Sequence, residues 1–351
     1  GHRIWAWIMP LPPSPGTANC SSKPKAATRK SIRARVSPQR MEGHTTGLPL
    51  PEPPILRPYA DPPADRYVDP VSKLTRLGRR LRRQPANTIF VLSGGAVRGA
   101  AQVGMLRTLL RNGVAPDQVV GVSVGALNGL HLATDPTLHQ VDNLEALWLE
   151  VAEREPIRGN VFRTVLSIVR GRPSFDTGDR LREFIEEHVP VTDLAETILP
   201  FHLGTTNAST GLVEWWRSGP AVDLLCASAA VPGMLPAVEL ADGHHHLDGG
   251  VVSNIPVRYA MSLAPTRLVV LDVASRFLPP EKHTALSLMM VGFRAATAEV
   301  THQEWADVPK GLDVLHVAVP GEDAGLDIDF DEVPELIEKG EAAAEAALTA
   351  N

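Results

Sequence analysis

Cysteine is scarce in this chain: its 351 residues include two, Cys20 and Cys226. Two thiols do not make the bridge framework on which small secreted domains depend. Cys226 falls in an apolar helical run and reads as a small buried hydrophobe. Paired Cys or His residues at zinc-site spacing are also missing, so no metal is expected. No apolar run reaches about 18 residues, so no transmembrane helix is expected. Residues 1–40 contain no acidic residue.

That last absence belongs to a wider asymmetry. The net charge is −6, yet residues 1–86 hold 16 Lys or Arg against 5 Asp or Glu. The remaining residues hold 18 against 35. The same first 86 residues carry 15 of the 31 prolines, in runs such as Pro12-Pro13-Ser14-Pro15 and Pro51-Glu52-Pro53-Pro54. Proline lacks an N–H and fixes φ, so such runs favour extended segments over ladders. With few apolar residues to offset ordering entropy, residues 1–86 are expected to be an unfolded basic leader. The Arg, Lys and Ser content of residues 1–40 is that of transit peptides. A secretory signal fits less well, because Ile4 to Met9 is short and prolines follow. The chain opens on Gly1, and Met41 is a candidate natural start. An ill-assigned N-terminus is favoured over a targeting signal.

Within the leader, Leu74, Leu77 and Leu81 form one helical stripe among Lys73, Arg76, Arg79, Arg80, Arg82 and Arg83. A basic amphipathic helix over residues 73–83 suits an anionic membrane surface. Nucleic-acid contact and a solvated helix packing on the body are the competing readings. The expected partners include a peripheral membrane contact and no nucleic acid.

The body, residues 87–351, is organised around Ile89 to Leu130. Ile89-Phe90-Val91-Leu92 is a short apolar run ending at Ser93-Gly94-Gly95. Val103, Leu106, Leu109 and Leu110 then recur at helical spacing until Asn112-Gly113. Val119-Val120 enters a second strand, and Gly121-Val122-Ser123-Val124-Gly125 turns it into another helix. A serine at a sharp strand-to-helix turn is a nucleophile candidate, and its neighbours two residues away must be small. Gly121 and Gly125 meet that need. The loop Gly94-Gly95-Ala96-Val97-Arg98-Gly99 can aim backbone N–H groups at a developing oxyanion; one such donor is worth roughly 100- to 1000-fold in rate. A nucleotide-phosphate loop is the competing reading. A P-loop would need Gly-Lys-Ser/Thr, and a dinucleotide fingerprint an acidic residue about 20 positions on. Neither pattern is met here.

Further along, helices are predicted over Asn143 to Glu153, Val161 to Arg170, Asp179 to His188, Val222 to Ala230, Asn254 to Leu263, Thr284 to Trp305 and Val333 to Ala350. Strands are predicted at Phe201 to Thr205, Leu268 to Val273 and Val314 to Val319. Leu212 to Arg217 reads as a hairpin partner, and His246-Leu247-Asp248 as a strand end before Gly249-Gly250. Strands alternating with helices argue an α/β layer fold with a mostly parallel sheet.

Three motifs now stand in order: the glycine loop at 94–99, G-x-S-x-G at 121–125, and Asp248-Gly249-Gly250, followed by Asn254-Ile255-Pro256. With these, the chain resembles the patatin-like phospholipases of the compact bacterial kind, over roughly Asn87 to Val319. The resemblance implies a three-layer α/β/α fold and a Ser–Asp dyad without a catalytic histidine. It implies Ser123 as nucleophile, Asp248 as base, and the amides of Gly94, Gly95 and Ala96 as oxyanion donors. Ala96 stands where many members of the family have a third glycine, which restricts the backbone there. Arg98 matches the family's basic position and would anchor the loop or attract phosphate. Gly99, Gly121, Gly125, Gly249 and Gly250 are the remaining motif residues. The implied reaction is hydrolysis of a phospholipid, lysophospholipid or simple fatty acyl ester through an acyl-enzyme. No cofactor is implied, and the expected location is cytoplasmic or peripheral to a membrane. Neither the oligomeric state nor the acyl ester is indicated.

Several alternatives remain at this point. An α/β-hydrolase triad could recruit His283, His302 or His316. A catalytically inactive lipid-binding relative and a membrane adaptor built on the basic tail are two more. His244-His245-His246 reads as a solvated turn. Trp148, Val161, Phe162, Leu166, Ile168 and Val169 are candidates for a lipid-facing cover, with ordinary core helices as the alternative. A lone carboxylate is a poor base at neutral pH, so Asp248 is expected to be desolvated by Val231 to Leu235 and Val251-Val252.

Overall fold

The computed structural model describes residues 86–154, 177–274, 285–319 and 330–350. The basic leader, the 73–83 helix, Val161, Phe162, Leu166, Ile168, Val169 and His283 lie outside these described residues.

Period-two alternation builds the centre of the fold. In β1 (Thr88–Leu92), Phe90 and Leu92 join one apolar cluster, while Ile89 and Val91 join the other. β2 (Gln118–Val122) splits Val119 from Val120 in the same way. β7 (Arg267–Asp272) splits Val269 and Leu271 from Leu268 and Val270. Successive side chains on a strand point to opposite faces, so both faces of this sheet are buried.

The sheet order is β5-β6-β3-β2-β1-β7-β8, with β4 paired to β3. Here β3 is Phe201–Asn207, β4 Val213–Trp216, β5 Val238–Glu239, β6 His245–Asp248 and β8 Asp313–Ala318. β3, β2, β1, β7 and β8 run parallel, and β4, β5 and β6 are antiparallel additions. β5 was not anticipated, because a two-residue strand carries no periodicity.

On one face lie α1 (Gly99–Arg111), α2 (Val124–Thr134), α3 (Leu138–Arg154), α4 (Asp179–His188) and α5 (Ala221–Ser228). Their apolar residues form the larger cluster, which α8 (Val333–Ala350) completes. α1 and α8 cross closely: a Cβ on Gly340 would collide with the carbonyl of Ala101. Arg107 of α1, whose side chain is 8% exposed, bridges Glu341 of α8 and Glu145 of α3. The other face is covered by α6 (Val257–Ser262), with Trp305 of α7 (Ala285–Ala306) packed beside it. The architecture is therefore the expected three-layer α/β/α fold around a mostly parallel sheet.

Candidate active site

Parallel strands deliver their C-terminal ends to one edge of the sheet, where ligand sites of such folds gather. β1 ends there in Ser93-Gly94-Gly95, and β2 ends in Ser123. Ser123 has φ 53° and ψ −131°, a left-handed-side conformation that a non-glycine residue rarely adopts. Its neighbours explain why the turn closes. A Cβ on Gly121 would strike the carbonyl of Gly125, and a Cβ on Gly125 would strike the carbonyl of Leu92. Helix α2 begins immediately after Ser123, so its free N-terminal amides favour negative charge beside the serine.

The third motif arrives through strand register. Consecutive β3 residues Gly204 and Thr205 pair with Val122 of β2 and Asp248 of β6. That register sets the end of β6 against the end of β2. The Ser123 side chain lies beside the Asp248 carboxylate and favours its charged form. Asp248 is 4% exposed, and its Oδ1 accepts from the Gly250 N–H at 2.7 Å. Burial pushes the Asp248 carboxyl up to about 7, against the opposing influence of the Ser123 side chain and the Gly250 N–H. Asp248 is thus desolvated, as expected from the sequence.

The loop amides divide unequally. The Gly94 N–H donates to the carbonyl of Asn254 at 3.1 Å, so it is already committed. Among the described residues, no acceptor takes the N–H of Gly95 or of Ala96. Ala96 holds φ 51°, so the alanine keeps a backbone shape that glycine would adopt without strain. Gly94 lies against Ser123: a Cβ there would come within 3.1 Å of the Ser123 Cβ. Arg98 donates from Nε to the carbonyl of Val273 at 3.0 Å, which ties the loop to the end of β7. Gly99 lies against Val124 and Trp148, Gly249 against the Gly204 carbonyl, and Gly250 against Asn254.

A buried polar network supports this loop and was not anticipated. Trp148 Nε1 donates to Asn128 Oδ1 at 3.0 Å. Asn128 Nδ2 donates to Gln102 Oε1 and to the Gly99 carbonyl, both at 2.9 Å. Gln102 Nε2 donates to the carbonyls of Ser93 and Leu271. Sequence periodicity marks Gln102 and Asn128 only as polar residues on apolar helices, which is the one signal available. Of the two readings of Trp148, lipid-facing cover or core helix, the structure gives the second: it is 7% exposed and part of this network. Its indole needed a buried acceptor, and Asn128 supplies it.

Of the three histidines expected in a solvated turn, His244 and His245 are exposed and His246 is not. His246 is fully buried in β6. Its Nδ1 meets Thr205 Oγ1 and its Nε2 meets Asp242 Oδ2, each at 2.9 Å. Trp216 Nε1 donates to the same Thr205 oxygen at 2.8 Å. Strand pairing with β3, invisible in the local sequence, pulls this residue inside. His316 bonds Asp272 at 3.1 Å, and His302 is exposed on α7. Among the described residues, no histidine is hydrogen-bonded to Ser123 or Asp248. Cys226 is buried in α5, and that burial pushes its thiol up to about 11.

The model of the family described as patatin-like phospholipase matches residues 90–261, which span all three motifs. Residues 90–261 are a patatin-like phospholipase domain. The chain is similar to mouse patatin-like phospholipase domain-containing protein 7, at 29% identity over 216 residues. That match covers 61% of this chain and 15% of the relative. It is also similar to lysophospholipase nte1 of Aspergillus terreus, at 28% identity over 200 residues, 57% of this chain and 12% of the relative. The chain thus spans 12 to 15% of the length of these curated relatives. Among solved structures, VipD from Legionella pneumophila aligns at a TM-score of 0.43 and 13% identity. That alignment covers 76% of this chain and 67% of VipD. Among the described residues of the chain, no helix is long and apolar enough to cross a membrane.

Proposed function

We propose that the patatin-like domain hydrolyses fatty acyl esters of phospholipids or lysophospholipids, with Ser123 as nucleophile and Asp248 as base. The observation that carries this reading is the placement of a serine at a strained strand-to-helix turn beside a buried carboxylate raised to about 7. A serine hydroxyl is a weak nucleophile unless a base takes its proton, and that base works best near the operating pH.

In the proposed scheme, Ser123 Oγ attacks the ester carbonyl carbon as its proton passes to Asp248. The oxyanion forms beside the free amides of Gly95 and Ala96 and the N-terminus of α2. As the tetrahedral intermediate collapses, Asp248 returns the proton to the departing alcohol. The acyl group is then bound to Ser123. A water molecule, deprotonated by Asp248, attacks that acyl carbonyl, and the fatty acid leaves as the Ser123 hydroxyl is restored. No step needs a metal. The similarity to a protein named lysophospholipase supports a single-chain lipid as one substrate to be tested first. Ordering of the chain into a leader over 1–86 and a catalytic domain over 87–351, with the reaction at a lipid surface, belongs to the same proposal.

The test is hydrolysis of a soluble aryl ester and of mixed phospholipid and lysophospholipid vesicles by the wild type, Ser123→Ala and Asp248→Asn. Release of fatty acid by wild type alone is expected. Equal release by folded Ser123→Ala would refute the reading.

A further inference from the structure

The end of helix α5 touches both members of the proposed dyad. Ser228, the last residue of α5, is fully buried. Its Oγ accepts the backbone N–H of Ser123 at 2.9 Å and donates to the Gly204 carbonyl at 2.8 Å. Two residues on, the carbonyl of Ala230 accepts the backbone N–H of Asp248 at 3.0 Å. Gly204 is itself the β3 partner of Val122, and its neighbour Thr205 is the partner of Asp248.

We propose that Ser228 is a positioning residue for the ester hydrolysis: its hydroxyl, with the Ala230 carbonyl, clamps the Ser123 backbone and the Asp248 backbone to one rigid helix end. The inference rests on the dyad reading above. Its physical content is simple. One hydroxyl serves one donor and one acceptor, so its rotor is fixed. A left-handed serine persists only where its surroundings over-determine it, and the Ser228 bond is one of those constraints. Because the Ser123 N–H is taken up by Ser228, it does not face the oxyanion. Ser228 therefore acts through Ser123 and not on the substrate. Loss of the bond leaves the Ser123 N–H and the Gly204 carbonyl buried without a partner. The turn relaxes, and the Ser123 hydroxyl moves relative to Asp248.

The experiment uses the full chain and a soluble ester, with kcat, KM and circular dichroism measured for wild type, Ser123→Ala, Ser228→Ala, Ser228→Thr and Ser228→Cys. A misplacement of about 1 Å at a reacting group costs on the order of 100-fold. Folded Ser228→Ala is expected to lose about 10- to 100-fold in kcat while KM stays within about three-fold. Covalent labelling of Ser123 by a fluorophosphonate should slow by the same factor. Ser228→Thr, which keeps the hydroxyl, should recover most of the loss. Folded Ser228→Ala with unchanged kcat would overturn the proposal, as would a loss that Ser228→Thr does not recover. If Ser228→Ala does not fold, the comparison passes to Thr against Cys. Faster turnover by the Thr variant supports the clamp, and equal turnover overturns it. Ser123→Ala separates the two readings: if that variant still turns over, the dyad itself is wrong, whatever Ser228 does.

Discussion

Ser123 lies beside an Asp248 carboxylate that is 4% exposed and pushed up to about 7 by burial. In the proposed reaction the carboxyl has to be ionised to accept the serine proton. Ester hydrolysis should therefore rise with pH through about 7 and level off above it. A kcat/KM profile on a soluble ester, taken from pH 5 to 9, tests this. A flat profile below pH 6 would contradict it.

Asp248→Asn should trade activity for stability. The folded value lies above the ordinary carboxylate value, so the folded state favours the protonated form. That contribution is fully present below about pH 4 and is lost as pH rises through about 7. At pH 8 the wild type holds a buried charge that the asparagine variant lacks. A shift of roughly three units corresponds to at most about 4 kcal/mol. Asp248→Asn should melt higher than wild type at pH 8, less so at pH 5, and lose at least about 100-fold in turnover. Thermal melts at the two pH values decide it.

Ala96 holds φ 51° while presenting an unpaired N–H. A left-handed alanine is strained by about 1–2 kcal/mol, and glycine's greater unfolded-state freedom offsets about 0.4–1 kcal/mol of any relief. Ala96→Gly should therefore keep activity and gain at most about 1.6 kcal/mol. Ala96→Val should lower kcat more than it changes KM, because a β-branched residue resists positive φ and turns the amide away. Wild-type kcat in the valine variant would remove Ala96 from the donor set.

Asn128 joins Trp148, Gln102 and the Gly99 carbonyl in the buried network. Asn128→Ala strands one donor and two acceptors, so a loss of about 2–4 kcal/mol in urea unfolding is expected. Trp148→Phe removes one donor and should cost less. It should also leave chain-length preference unchanged, since Trp148 belongs to the core. A changed preference would restore the cover reading for that residue.

His316 bonds Asp272, and His302 is exposed. Replacing His302, His316 or His283 by Gln should leave hydrolysis within a few-fold of wild type. A folded variant as inactive as Ser123→Ala would establish a histidine-dependent triad.

Local sequence carried much of this protein. The apolar run Ile89 to Leu92, the helical spacing after Gly99, and the glycines at 121 and 125 depend on neighbours within a few residues. Turn closure and helix periodicity are short-range effects, so these elements were legible. So was the order of the three motifs, and with it the expectation that Ser123 and Asp248 act together. α4, read at Asp179 to His188, carries an apolar stripe of Leu181, Phe184 and Ile185 that needed no tertiary information.

Other features were settled only by long-range packing. The commitment of the Gly94 N–H to Asn254, the burial of His246 and the Asn128 network each join residues far apart in the chain. A hydrogen-bond partner supplied by another strand leaves no periodic trace in sequence. The same holds for the carboxyl of Asp248: its residue type was evident, but its basicity depends on how completely the surrounding layers exclude water. The sequence by itself determined which residues are available for chemistry and the local turns that present them. The tertiary structure decided which backbone groups remain free, because register and burial are properties of pairs of strands and not of any one segment.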